Sequence, residues 1–185
     1  EPVFDIGTYG REIHEMTEMA AVEFGQYAHS NQPVHHVPYL FAALGEPSKT
    51  QYWIRRVLNE LYGPGPTDGF AGDEDNGEMT AWYVFGALGF YPLCPGRPEY
   101  AIGAPLFEKA VVTPPDGEAF VIEGIGNRSE TPYAERMVLN GAPHSKLVVS
   151  QNEIAAGGAL TFEMQSEATD RSYEDADLPS SMSRS

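Results

Sequence analysis

Three carboxylates stand in a row in Gly69-Phe70-Ala71-Gly72-Asp73-Glu74-Asp75-Asn76-Gly77-Glu78, between glycines and directly ahead of an apolar run. Carboxylates packed so closely repel one another unless a cation or the positive end of a helix offsets the charge. The chemistry they suit is calcium binding through hard oxygen ligands, or general-base work by a carboxylate whose charge its neighbours manage. A solvated acidic loop with a helix N-cap is the alternative reading of the same residues. An EF-hand is excluded: counting from Asp73, the turn glycine is Gly77, one place early, and the twelfth position is Val84 rather than an acid.

A second cluster is His29-Ser30-Asn31-Gln32-Pro33-Val34-His35-His36. Side-chain amide carbonyls are calcium-type ligands, and histidines can hydrogen-bond sugar hydroxyls or bind a transition metal. The competing reading is a polar loop with a helix-initiating proline and histidines satisfied by backbone. The zinc-protease helix pattern is absent, because His14-Glu15 is followed by Glu18 where a second histidine is needed. Asn127-Arg128-Ser129 fits the glycosylation sequon, a pattern too short to fix a compartment. Trp53, Trp82 and Tyr83 could stack on sugar rings, but at helical spacing such residues are more often core.

The elements that must position these residues fall into two halves. Apolar residues at three- and four-residue steps predict a helix over residues 9–27, a short one over 36–44 stopped by Gly45, and a third up to Tyr62 with a Ser48/Gln51 capping box. A fourth, over 78–88, is apolar all round and is expected to be buried. After Pro92 short β-type runs alternate with turn residues such as Asn140-Gly141, predicting mostly antiparallel sheet. From Ser166 onward Ser, Asp and Glu dominate, which reads as a flexible acidic tail with no core to join. The class is α+β, organised as 1–92, 93–165 and 166–185, without internal repeats.

With 185 residues, 42% hydrophobic and 11% aromatic, the chain can bury a core, and 11 basic against 27 acidic side chains give a net charge of −16. That charge repels phosphate backbones and anionic headgroups, which argues against nucleic acid as a partner. No apolar run approaches the roughly 20 residues of a membrane span, so membrane insertion is not expected. The single Cys94 rules out an internal disulfide framework. A first residue of Glu1 rather than Met suggests a processed or excised piece.

Three segments together resemble the C-terminal part of the calcium-dependent α-mannosidases of glycoside hydrolase family 92. They are Tyr9-Gly10-Arg11-Glu12-Ile13-His14-Glu15-Met16, Asn31-Gln32-Pro33-Val34-His35-His36-Val37-Pro38-Tyr39-Leu40, and Gly72-Asp73-Glu74-Asp75-Asn76-Gly77-Glu78-Met79-Thr80-Ala81-Trp82-Tyr83-Val84-Phe85 with Leu88-Gly89-Phe90-Tyr91-Pro92. The resemblance covers about residues 1–165. It implies that the helices are the last part of an (α/α)6 toroid, followed by antiparallel β-structure. It further implies an exo-acting, inverting hydrolysis of terminal α-linked mannose, with Asp73 and Asp75 as general base and calcium ligand. Asn31 and Gln32 fall where the family places calcium ligands, and Gln32 replaces an often-found Glu, which removes one anionic charge. His35 and His36 would flank the sugar. The family's general acid lies in a Glu-Gly-x-x-Trp segment that does not occur among these residues. The expected partners are therefore mannose-containing glycans and the remainder of the mannosidase chain, in an extracytoplasmic setting. A calcium-dependent carbohydrate-binding module without hydrolysis is the alternative, and saturable calcium binding would separate both from a plain surface loop.

Overall fold

The computed structural model describes residues 24, 25, 27–65, 69–115 and 117–182. The helix expected over 9–27 falls almost wholly outside the described residues. Helix α1 is Val37–Ala43, with Pro38 in its first turn, α2 is Pro47–Glu60 and α3 is Glu78–Leu88. Ile54, Val57 and Leu58 of α2 pack with Tyr39 of α1, Trp82 of α3 and Ala101 in one buried cluster. Each apolar side chain so withdrawn from water contributes about 1.5–3 kcal/mol. Helix α3 is covered on one face only: Met79, Trp82, Gly86 and Ala87 are buried, whereas Val84 is 48% exposed. The expected all-round burial therefore holds for half its circumference.

The second half carries two sheets. Strands β1 (Phe90–Tyr91), β2 (Glu99–Ile102) and β7 (Val148–Ser150) form a three-stranded antiparallel sheet. Strands β3 (Lys109–Val112), β4 (Phe120–Ile125), β5 (Tyr133–Leu139), β6 (Ala142–Pro143) and β8 (Gly158–Gln165) form the other, in the order β3-β4-β8-β5-β6. The pairing is antiparallel as expected except for β4 with β8. That exception is forced, since β8 enters between two strands that run in opposite directions and must be parallel to one. Asn140 and Gly141 both have positive φ (50° and 81°) and turn β5 into β6, as a two-residue hairpin requires. Phe120, Ile122, Leu160 and Phe162 build the core of this half. Helix α4 (Gln151–Ala155) joins β7 to β8.

Two expectations are corrected. No capping box forms at Ser48 and Gln51: Glu46 is the N-cap of α2 and makes no side-chain cap bond. The Ser48 hydroxyl instead donates to the Thr169 carbonyl and accepts from the Thr169 N–H, and Gln51 accepts from the Ala134 N–H. Both face the β half, so tertiary partners outcompete the local cap. The capping box that does form is Ser150 with Glu153, at the start of α4. The segment after Ser166 does find a core. Tyr173 and Leu178 pack on the sheet cluster, the Leu147 N–H donates to the Asp177 carbonyl (2.7 Å), and Glu99 accepts from the N–H and hydroxyl of Ser180. Its few apolar residues suffice because they pack against the buried sheet cluster.

The helical and β halves meet where α3 ends. Gly89 has φ +91°, and a Cβ there would lie 2.7 Å from the backbone nitrogen of Pro105. Gly141 has an equally left-handed backbone with open space around it. Gly89→Ala should cost about 2–4 kcal/mol, strain plus steric overlap, and Gly141→Ala about 1–2 kcal/mol, strain alone. Urea denaturation of both variants checks this; equal losses would contradict the close approach at Gly89.

Candidate functional site

The acidic loop is sorted by what each carboxylate touches. Glu74 turns toward α3 and accepts hydrogen bonds from the Gly77 N–H (2.6 Å), the Thr80 N–H (3.3 Å) and the Thr80 hydroxyl (2.7 Å). Those donors hold its carboxyl below the usual range, the Thr80 hydroxyl contributing most. It therefore completes the helix start, where unsatisfied N–H groups and the helix dipole favour an anion. Asp73 and Asp75 are left exposed. Asp75 and Asn76 have φ of 56° and 58°, and Gly77 follows at 98°. Asp and Asn tolerate this left-handed region better than other side chains, though it still costs about 1–2 kcal/mol per residue. The Glu78 N–H bond to the Asp75 carbonyl and the Met79 N–H bond to the Glu74 carbonyl hold the turn.

The second cluster arrives opposite this loop. Gln32–Val34 form a single 3-10 turn with Asn31 at its N-cap position, whose side chain makes no cap bond. Gln32 Nε2–H donates to Asp75 Oδ2, joining residues 43 apart in sequence. The structure thus brings together Gln32 and Asp75. Asn31 is half-buried beside Gln32, His36 is exposed, and Asp73 is exposed two residues from Asp75. Among the described residues no three His, Cys, Asp or Glu side chains gather as metal ligands.

His35 sits beneath the loop rather than at its surface, 1% exposed. Its Nε2–H donates to the His29 carbonyl (2.9 Å), and the Trp82 indole N–H donates to the His35 carbonyl (2.9 Å). Its Nδ1 is buried without a hydrogen-bond partner, 3.5 Å from Glu78 Oε1. His29 is fully buried between two phenols, at 2.9 Å from Tyr27 and 2.7 Å from Tyr62. The Tyr62 hydroxyl also donates to the Met79 carbonyl of α3 (3.2 Å). One assignment satisfies every group: Tyr27 donates to Nδ1, Nε2–H donates to the Tyr62 oxygen, and Tyr62 spends its proton on Met79. Trp82, expected as a stacking platform or core, is core at 1% exposure.

Neither Glu74's capping role nor the part played by Tyr62 and His29 was read from sequence. An acid three residues ahead of a helix-starting glycine was the available signal for Glu74; Tyr62 had none. A cleft of about 440 Å3 adjoins the acidic loop, lined by Tyr62, Phe70, Thr80, Tyr83 and neighbouring backbone. Asn127 is 5% exposed and its amide N–H groups donate to the Pro105 and Phe107 carbonyls, while its oxygen accepts from Arg55. The sequon asparagine is thus a buried structural link.

Burial pushes His29 down to about 3, with the neighbouring His35 adding to the effect. Between that value and the ordinary one of about 6.5 the unfolded chain binds a proton that the folded chain does not. Stability from neutral His29 is therefore full above about pH 6.5 and is lost as pH falls toward 3. His29→Gln should lower stability at pH 7 and flatten its decline between pH 6.5 and 4, measured by urea denaturation across pH. An unchanged slope would contradict a neutral buried His29.

This architecture has known counterparts. An inverting mannosidase of family GH92 from Bacteroides thetaiotaomicron superposes with a TM-score of 0.81 and 46% identity, over 98% of this chain and 25% of the other. A GH92 α-mannosidase of the same species gives a TM-score of 0.82 at 34% identity, over 85% and 21%. An uncharacterized secreted glycosidase of Arthroderma benhamiae is 24% identical over 159 residues, 82% of this chain and 20% of that relative. This chain therefore spans about a fifth to a quarter of their length. The Glycosyl hydrolase family 92 catalytic domain pattern matches residues 4–166, the acidic loop and its partner cluster included, and the chain belongs to that family.

Proposed function

We propose that this chain supplies the general-base and cation-holding side of an exo-acting, inverting, calcium-dependent α-mannosidase that removes terminal α-linked mannose from glycans. The observation that carries the reading is the meeting of Asp75 with Gln32 across two loops far apart in sequence. Family membership and the mannosidase activity named for two structural relatives support the substrate class. In this reading residues 1–92 close an (α/α)6 toroid, 93–165 pack on it, and the remaining toroid helices come from the rest of the mannosidase chain. The name of the secreted fungal relative supports an extracytoplasmic setting. Among the described residues no helix is long and apolar enough to cross a membrane.

Asp73 and Asp75 are exposed carboxylates on a fixed turn, suited to take a proton from water as its oxygen attacks the anomeric carbon. An inverting enzyme places the leaving-group acid roughly 6.5–9.5 Å from the base, and that acid is assigned to a glutamate of another part of the enzyme. Asn31, Gln32 and Asp75 offer only oxygen donors for a hard cation, and their chemistry fits calcium. The Gln32 amide N–H now lies beside Asp75 Oδ2, where a cation would compete for the same carboxylate. Calcium when bound would balance the negative loop and polarise sugar hydroxyls. Because calcium takes 6–8 oxygens, the remaining ligands must be sugar hydroxyls, water or other parts of the enzyme. His36 is exposed and able to meet hydroxyls; His35 is buried and would support the loop from beneath.

In the enzyme carrying this region together with its general acid, Asp75→Asn should lower kcat for α-mannoside hydrolysis by about 10²–10⁴. Thermal unfolding should be little changed, and the first product from the unsubstituted enzyme should be the β-anomer by NMR. Undiminished turnover in Asp75→Asn would sink the assignment.

A further inference from the structure

We propose that Asn76-Gly77, at the turn of the acidic loop, is a site of spontaneous deamidation, with the neighbouring Glu74 carboxylate as its base. The chain holds two Asn-Gly pairs, Asn76-Gly77 and Asn140-Gly141, and the fold treats them differently. Asn140 is tied to β8: its side-chain oxygen accepts from the Ala159 N–H (2.8 Å), and its backbone N–H donates to the Ala159 carbonyl (2.9 Å). Gly158 lies so close that a Cβ there would meet the same side-chain oxygen at 1.9 Å. The Asn140 amide must therefore leave β8 before it can meet the Gly141 nitrogen. Asn76 is exposed, and among the described residues its side-chain amide has no hydrogen-bond partner. A Cβ on Gly77 would meet nothing within 4 Å, so ring closure between the two residues is sterically open.

Deamidation needs a backbone nitrogen as nucleophile, a side-chain amide as electrophile and an acceptor for one proton. The Gly77 N–H already donates to Glu74 Oε2 at 2.6 Å. As that proton passes to the carboxylate, the Gly77 nitrogen bonds to Asn76 Cγ and the Cγ–Nδ2 bond breaks. The side-chain nitrogen leaves as ammonia, carrying the proton that Glu74 returns. Water then opens the cyclic imide at one of its two carbonyls and leaves aspartate or isoaspartate at position 76. No oxidant or cofactor enters the balance. The turn bonds spanning the pair are long, 3.3 Å from the Glu78 N–H to the Asp75 carbonyl and 3.2 Å from the Met79 N–H to the Glu74 carbonyl, so closing the ring gives up little. Either product sets a fourth carboxylate beside Asp73, Glu74 and Asp75. Isoaspartate also lengthens the backbone ahead of Gly77 by one carbon, which pulls the Gly77 N–H away from Glu74 and undoes the start of α3. The site is independent of the mannosidase reading.

The test is incubation of the folded chain in mildly alkaline buffer, with both pairs followed by peptide-mapping mass spectrometry, in which each event adds about 1 Da. Enzymatic methylation reads the isoaspartate product. Asn76 should convert about two- to tenfold faster than Asn140, the factor that corresponds to the one side-chain hydrogen bond holding Asn140. In denaturing urea the two pairs should convert at similar rates, because the fold no longer separates them. Glu74→Gln keeps an oxygen for the Gly77 N–H but no base. It should slow conversion at Asn76 at least about tenfold, with Asn140 and the circular dichroism unchanged, whereas a Glu74 that acts only as a cap would leave a looser loop and faster conversion. Conversion of Asn140 as fast as that of Asn76 in the folded chain, or no conversion at Asn76, would overturn the site. Undiminished conversion in Glu74→Gln would overturn the role of Glu74 as its base.

Discussion

A buried chain of hydrogen bonds between residues 27–35 and α3 fixes everything around the candidate site. The Trp82 indole reaches the His35 carbonyl, the His35 ring reaches the His29 carbonyl, and the His29 ring reaches Tyr62, which returns to the Met79 carbonyl. Trp82, His35 and His29 are withdrawn from water, and losing one of these bonds would cost about 1–3 kcal/mol. The loop therefore has one register against the helix rather than several. That register sets Gln32 against Asp75, although neither residue belongs to the buried network. The surface contact is weak by itself and inherits its precision from the layer beneath.

The β half has a supporting role that begins at the same helix. Gly89 ends α3 against Pro105, and the Gly103 and Leu106 N–H groups donate to the Gly89 and Ala87 carbonyls. Arg55 of α2 then reaches the Pro105 carbonyl and the Asn127 oxygen, each at 2.8 Å. A buried guanidinium surrounded by neutral acceptors is costly to desolvate, and burial accordingly lowers its pKa. Its hydrogen bonds to the Pro105 and Arg128 carbonyls and the Asn127 oxygen tie α2 to two turns of the β half. Residues 166–182 run from a contact with Ser48 of α2 to one with Glu99 of β2 and so link the two halves.

Local signals made parts of this legible. The apolar run at 78–88 became α3 with the expected bounds, and Asn140-Gly141 became a left-handed hairpin turn, because both depend on backbone preference within a few residues. Ser48 and Gln51 misled for the same reason: a polar side chain near a helix start looks identical whether it caps that start or reaches Thr169 and Ala134. The candidate loops were visible as residue types, but their contact was not, since 43 residues separate Gln32 from Asp75. Only the family pattern linked them. Placing His35 at the sugar followed that pattern, whereas its burial depends on the Trp82 and His29 contacts, which no short motif encodes.

The crowding of acids, the first sign of chemistry, is relieved by division of labour. If Asp73, Glu74 and Asp75 all faced solvent on one side, their repulsion would favour an extended loop. Glu74 is drawn instead to three donors at the start of α3, so its charge is met by N–H groups and the helix dipole. The peptide must then reverse direction within two residues, and Asp75 and Asn76 do so in the left-handed region. The strained turn is thus a consequence of the cap: anchoring the middle carboxylate inward leaves the flanking ones exposed, on a backbone too constrained to let them drift apart. Carboxylates fixed on such a turn lose less conformational freedom on meeting a hard ion than the same residues on a mobile chain.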